Sequence, residues 1–107
     1  MSLDITLLRD EPTEVFEGNI THNLNKMADA VGVYKQLWRP EEVGIERGKD
    51  LIEPLKMGIY KMRKEPEKYK AFNPYNGWGS YDNLLTLMEQ YLIACQAYPD
   101  AIVKVWR

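Results

Sequence analysis

Both ends of the chain show the alternation of apolar and polar residues that is typical of β-strands. Apolar residues occupy alternate positions along Leu3–Leu8, which predicts a strand with one buried face. A second strand is predicted over Thr13–Ile20, after a polar, proline-containing turn at 9–12, and Gly18 is expected to end it or to form a bulge. Ala101–Arg107 is rich in β-branched residues and predicts a last strand, which we expect to pair with the first.

The middle of the chain has apolar residues at spacings of three and four, the pattern of an amphipathic helix. Thr21 is suited to cap the first helix, because its side chain can accept a hydrogen bond from a free backbone N–H. Pro40 disfavours helical geometry at the preceding residue, so this helix is predicted to stop near Trp38. Trp38 continues the apolar stripe, and we therefore expect it to lie in the core.

Two further helices follow along the sequence. A capping box over 50–53 predicts the start of the second helix, Glu65-Pro66 predicts its end, and a break or kink is expected between Gly44 and Pro54. Ser80 is the predicted cap of the third helix. The order β-β-α-α-α-β predicts one α+β domain over residues 1–107, with three helices packed on one face of a small, mainly antiparallel three-stranded sheet.

Composition and charge argue against several classes of protein. The formal net charge of −2 argues against a strongly electrostatic nucleic-acid binder. Basic residues do cluster over 56–70, but Glu65 and Glu67 interrupt them, so we expect a solvated helix face. The single cysteine, Cys95, allows no internal disulfide and falls on the apolar stripe of the third helix, where a buried inert thiol is expected.

No segment has the length and apolarity of a membrane span, and the N-terminus lacks the pattern of a secretory signal. The sequence therefore predicts a cytoplasmic protein without a membrane partner. A metal site would need unusual help from carboxylates, because the chain has one histidine and one cysteine. No cofactor is predicted.

His22 is the only histidine, and any imidazole acid–base chemistry would depend on it. It lies at a predicted strand-to-helix junction, between the polar residues Asn19, Thr21 and Asn23. A general base at this position is one interpretation. The alternative is a structural histidine held by a local hydrogen bond, since one residue does not define a catalytic set.

Two clusters that mix aromatic and polar residues are the other candidates for a site. Arg39 follows Trp38 at a predicted helix end, where it can present a planar fork of donors. The loop before the third helix carries Asn73, Tyr75, Asn76 and Trp78. A tryptophan flanked by glycines can stack on a planar ligand, or it can fold back and cover the core.

Segments 19–24, 37–42, 72–79 and 98–101 resemble a family of small bacteriophage and prophage proteins, and the likeness extends over nearly the whole chain. The resemblance implies a phage or prophage origin. It supplies no catalytic residues.

Three hypotheses for function follow. The preferred one is a non-enzymatic binding module for a small polar ligand, such as a nucleotide, or for a host protein. The second is a small hydrolase or transferase with His22 as general base and an acid such as Glu17, Asp29 or Asp82 beside it. The third is a structural, homo-oligomeric or phage accessory protein. The first requires the junction around His22 and the loop around Trp78 to face a common hollow.

Overall fold

The computed structural model describes residues 1–10 and 13–107, and its strands form an antiparallel sheet in the order β2-β1-β3. The strands are β1 (Ser2–Asp10), β2 (Thr13–Thr21) and β3 (Ile102–Trp106). β1 lies between the other two, so the predicted pairing of the first and last strands is confirmed. Two residues of the predicted turn, Glu11 and Pro12, lie outside the described residues.

The register of the sheet gathers apolar side chains on one face. Leu3 lies opposite Ile20 and Leu7 opposite Phe16, while Ile5 and Leu7 pair with Val105 and Val103 on the other side. Leu3, Ile5 and Leu7 are fully buried. Side chains of successive residues point to opposite faces of a sheet, so the alternation in the sequence correctly indicated this buried face.

The prediction that Gly18 ends β2 or forms a bulge is wrong. Gly18 pairs with Ile5 within the strand, and the irregularities in the ladder occur between Leu7 and Leu8 and between Leu8 and Asp10. A Cβ at Gly18 would lie 2.8 Å from Cδ1 of Leu87. The glycine is therefore explained by the close approach of a helix, which packing imposes and local sequence does not reveal.

The described residues form five α-helices where the sequence predicted three. They are α1 (Asn25–Val31), α2 (Tyr34–Trp38), α3 (Ile52–Lys64), α4 (Pro66–Lys70) and α5 (Tyr81–Ala97). Short 3₁₀ turns occupy His22–Leu24, Pro40–Val43 and Gly48–Leu51. The α+β class is confirmed. None of these helices is long and apolar enough to cross a lipid bilayer.

The first predicted helix is broken because Gly32 ends α1. Gly32 has a φ of 96°, and its N–H donates to the carbonyls of Ala28 and Asp29. A left-handed glycine closes a helix in this way at low conformational cost. The chain then restarts as α2, which ends at Trp38 as predicted.

Two of the predicted helix caps fit the structure. Thr21 Oγ1 accepts a hydrogen bond from the N–H of Asn23, and Ser80 Oγ accepts one from the N–H of Asn83.

The capping box predicted over 50–53 is wrong, because no side chain caps α3 and Asp50 instead accepts hydrogen bonds from the N–H groups of Glu46 and Arg47. Pro54 is the third residue of α3, where its missing N–H removes no intrahelical bond. The expected break before α3 coincides with two 3₁₀ turns, the first ending at Gly44 with a φ of 75°.

The helices do not all pack on the sheet. α5 packs against β2, and α3 packs against α5. A Cβ at Gly58 of α3 would lie 2.5 Å from Cε of Met88, which shows how closely these two helices approach. The predicted arrangement of three helices side by side on one face is therefore wrong in this detail. Trp38 is 2% exposed, which confirms its place in the core.

Candidate functional site

The start of the first helical segment and the loop that carries Trp78 lie in direct contact. Gly79, with a φ of 99°, lies so close to Thr21 that a Cβ would be 2.7 Å from the Thr21 Cγ2 atom. The same Cβ would lie 3.0 Å from Cγ of Leu24. A residue without a side chain thus lets two distant segments meet.

A groove of about 540 Å³ begins at this contact and runs between β2 and α5. We call it the β2–α5 groove. Residues 17–21 of β2 form one wall, and Gly79 with the N-terminal half of α5 forms the other. The polar side chains on the helix wall belong to Asp82, Asn83, Thr86 and Gln90.

The charged residues that line the β2–α5 groove are acidic. Glu17 and Asp82 line it, and among the residues that the structure describes no lysine or arginine does so. Neither carboxylate forms an ion pair within the described ranges, 1–10 and 13–107. Asp82 thus places a carboxylate without an ion-pair partner on the helix wall. Glu17 places a second one at the β2 edge, on the face of the sheet that is turned away from α5, because it pairs with Thr6 while its neighbour Gly18 faces Leu87.

Two of the predicted site residues, Asn19 and Thr21, lie in this groove. Nδ2 of Asn19 donates to Oγ of Ser2 at 3.0 Å and to Oδ1 of Asp4 at 2.6 Å. The hydroxyl of Thr21 caps the following turn by accepting from Asn23. Both side chains already have hydrogen-bond partners within the fold. These two residues therefore contribute to the groove mainly through the backbone of β2.

His22 and Arg39 belong to a separate aromatic cluster. Nε1 of Trp38 donates to Nδ1 of His22 at 2.8 Å, and the ring of Tyr34 stacks on Trp38 with centroids 5.6 Å apart. Nε of Arg39 donates to the hydroxyl of Tyr34 at 3.3 Å. The cluster ties the turn after β2 to α2, and none of its members lines the β2–α5 groove.

The arrangement around His22 gives little support to a general base. A neutral imidazole whose Nδ1 accepts a hydrogen bond carries its proton on Nε2, so neither nitrogen is a free base. Among the described residues, no carboxylate is hydrogen-bonded to the ring. Of the three acids considered as partners, Glu17 and Asp82 line the groove, and Asp29 lines an open depression beside Tyr34.

Within the loop, the two asparagines have structural roles and the two aromatic residues are exposed. Oδ1 of Asn73 accepts from the N–H of Tyr81 at 2.8 Å, and Oδ1 of Asn76 accepts from the N–H of Trp78 at 3.0 Å. Tyr75 is fully exposed and Trp78 is 69% exposed. Trp78 does not fold back over the core.

The buried thiol and phenol of α5 are unsuited to chemistry. Burial raises the pKa of the Cys95 thiol to about 12, so the reactive thiolate is scarce at neutral pH. Burial, together with the nearby Cys95, raises the pKa of Tyr91. Both side chains are fully buried.

The basic residues of α3 and α4 have partners that spread their charge. Arg63 pairs with Glu89, Lys70 pairs with Glu67, and Nζ of Lys61 donates to the carbonyl of Val31. Such contacts are typical of a solvated helix surface, as the interrupted sequence pattern predicted.

Comparison of the chain with protein-family models, with curated proteins and with solved structures found no match. The resemblance to small phage proteins therefore stays a prediction. Within residues 1–10 and 13–107, no cluster of histidine, cysteine and acidic side chains could hold a metal ion.

The helix wall of the groove was not predicted as a unit from the sequence. Asp82, Thr86 and Gln90 recur at intervals of four and so share one face of α5. That spacing was visible in the sequence, but a polar stripe is also the ordinary outer face of a helix. The close packing of α5 against Gly18 places this stripe beside β2.

Proposed function

We propose that this protein is a non-enzymatic binding module whose ligand lies in the β2–α5 groove. The observation that carries the proposal is the contact between Gly79 and Thr21, where a Cβ would come within 2.7 Å of the threonine side chain. This contact brings Thr21, at the end of β2, and Gly79, in the loop before α5, to one groove. Pockets with a few convergent polar groups are the usual sites of ligands.

The charge of the groove selects among the ligands considered. Glu17 and Asp82 would repel the phosphates of a nucleotide, whereas a neutral or cationic polar group would be attracted. Trp78 directly precedes Gly79, so the loop at one end of the groove carries an exposed indole that offers a stacking surface. A neutral or cationic polar ligand, or a host-protein segment with such groups, fits best.

A titration followed by ¹H–¹⁵N NMR tests the proposal. The probes are nucleosides, nucleotides, amino acids and polyamines, together with the basic peptide described below. We expect at least one neutral or cationic probe to shift the amide signals of residues 17–21 and of Thr86 and Gln90. Nucleotides should bind more weakly than the matching nucleosides.

A matched pair of variants places the site. Thr86→Trp fills the groove and should abolish binding, whereas Gln96→Trp adds the same side chain to α5 outside the groove and should bind like the wild type. Shifts confined to the depression beside Tyr34, or no binding by any probe, would overturn the proposal. Chemical turnover of a bound probe would contradict the non-enzymatic assignment.

A second candidate, an accessory protein that acts through a protein interface, is favoured by the exposure of Tyr75 and Trp78. Light scattering at several concentrations tests its homo-oligomeric form. A concentration-dependent dimer that Trp78→Ala abolishes would favour this candidate over the groove.

A further inference from the structure

The two outer edges of the sheet differ in whether another backbone segment pairs with them. The outer edge of β3 is covered, since Arg47 forms an antiparallel bridge with Ile102 and the N–H of Val103 donates to the carbonyl of Glu46 at 3.0 Å. Along β2, no backbone segment of the described chain pairs with the outer edge. β2 is nine residues long, so this is an extended open edge.

Bonded and non-bonded pairs alternate along β1 and β2, and this alternation determines which backbone groups of β2 point outward. The N–H of His22 donates to the carbonyl of Met1, and antiparallel pairs alternate between bonded and non-bonded. Ile20 and Gly18 therefore exchange bonds with Leu3 and Ile5. The backbone N–H and C=O groups of Glu17, Asn19 and Thr21 point away from β1, along the β2–α5 groove.

From this geometry we propose that an extended, basic peptide segment of a partner protein binds as a fourth strand on the outer edge of β2. This inference rests on the proposed function and names the ligand class of the same groove. Backbone hydrogen bonds to Glu17, Asn19 and Thr21 would supply the pairing. Alternate side chains of the peptide would point into the groove towards Asp82 and Thr86.

Charge identifies the occupant as a basic strand and argues against a second copy of this chain. β2 carries Glu14 and Glu17 and has no lysine or arginine. Antiparallel pairing of β2 with its copy about Glu17 would place the two Glu17 side chains opposite each other, and like charges destabilise a cross-strand contact. On an added strand, a lysine or arginine that faces α5 would instead compensate Asp82, and one on the opposite face would compensate Glu17; neither acid has an ion-pair partner among the described residues.

The experiment uses three short, blocked peptides. The first carries valines and, on each face of the extended strand, lysines; the second has glutamate in place of each lysine, and the third is the lysine peptide with N-methylated backbone amides. Binding is followed by ¹H–¹⁵N NMR and by hydrogen exchange. We expect the first peptide alone to bind, to shift signals of the groove, and to slow exchange at the amides of Glu17, Asn19 and Thr21.

A charge-reversal pair tests the electrostatic part. Glu17→Lys should weaken binding of the lysine peptide by about tenfold and improve binding of the glutamate peptide. Glu65→Lys makes the same change in net charge at an exposed position outside the groove, and it should leave both affinities unchanged.

The outcomes separate this inference from the proposed function. Equal binding of the N-methylated peptide would show attraction without strand pairing and would overturn the inference. A groove that binds a nucleoside or amine but not the lysine peptide would overturn it and leave the proposed function intact. Amide shifts along β2 that appear on raising the protein concentration alone would assign the edge to a second copy and also overturn it. If no probe binds, both this inference and the proposed function are overturned.

Discussion

The indole nitrogen of Trp38 donates a 2.8 Å hydrogen bond to Nδ1 of His22. Trp38 is buried at the end of α2, and His22 is half-buried in the turn after β2. The only histidine of the chain thus joins the sheet to the helical half. A structural histidine was one of the two interpretations that the sequence left open.

The first prediction concerns this bond. Trp38→Phe keeps an aromatic side chain but removes the donor, and His22→Ala removes the acceptor. A double-mutant cycle with both changes should give a coupling free energy of about 0.5–1.5 kcal/mol. Urea unfolding followed by far-UV circular dichroism measures it. Fully additive effects would mean that the bond does not contribute to stability.

The second prediction compares two glycines of the same loop. Gly79 and Gly77 both have positive φ, so alanine is strained at either position. A Cβ at Gly79 would collide with Thr21, whereas a Cβ at Gly77 has no atom within 4 Å. Gly79→Ala should therefore lower the free energy of unfolding by about 1–3 kcal/mol more than Gly77→Ala. Equal losses in urea unfolding would contradict the contact on which the groove depends.

The third prediction concerns two buried tyrosines of α5. The hydroxyl of Tyr91 has no hydrogen-bond partner among the described residues, while that of Tyr81 donates to the carbonyl of Met62 at 2.6 Å. Tyr91→Phe should raise the free energy of unfolding by about 1 kcal/mol, because it removes a buried unsatisfied group. Tyr81→Phe should lower it by a similar amount. Thermal and urea unfolding measure both, and destabilisation by Tyr91→Phe would indicate that the hydroxyl has a partner.

The fourth prediction is a pH dependence. The backbone N–H groups of Glu46 and Arg47 donate to Oδ2 of Asp50, both at 3.0 Å, and hold the pKa of that carboxyl below its ordinary value. A lowered pKa in the folded state means that the carboxylate adds stability above its unfolded pKa. This stability is lost as the pH falls through the folded value.

Asp50→Asn should therefore lower the free energy of unfolding at neutral pH by about 1 kcal/mol, a value kept small because the side chain is exposed. The difference from the wild type should disappear in acid. Urea unfolding at a series of pH values gives the comparison, and a difference that stays constant with pH would refute the assignment.

Much of the secondary structure could be predicted because its causes are local. Alternation marked the buried face of β1, and the side chains of Thr21 and Ser80 identified their caps. The break at Gly32 was missed, because the apolar stripe continues through it. The role of Gly18 was predicted wrongly, because the glycine is required by the close approach of Leu87, which lies in a helix distant in sequence.

The sequence by itself determined the α+β class and the strands, since hydrophobic period and capping act between neighbours along the chain, and it indicated which polar and aromatic residues to consider for a site. Only the tertiary structure decided what these residues do. In the folded chain, His22 accepts a hydrogen bond from Trp38, Asn73 and Asn76 accept hydrogen bonds that stabilise the loop, and Trp78 is exposed. It also set Gly79 against Thr21 and left one edge of the sheet open, because contacts between distant segments depend on how helices pack and not on local pattern.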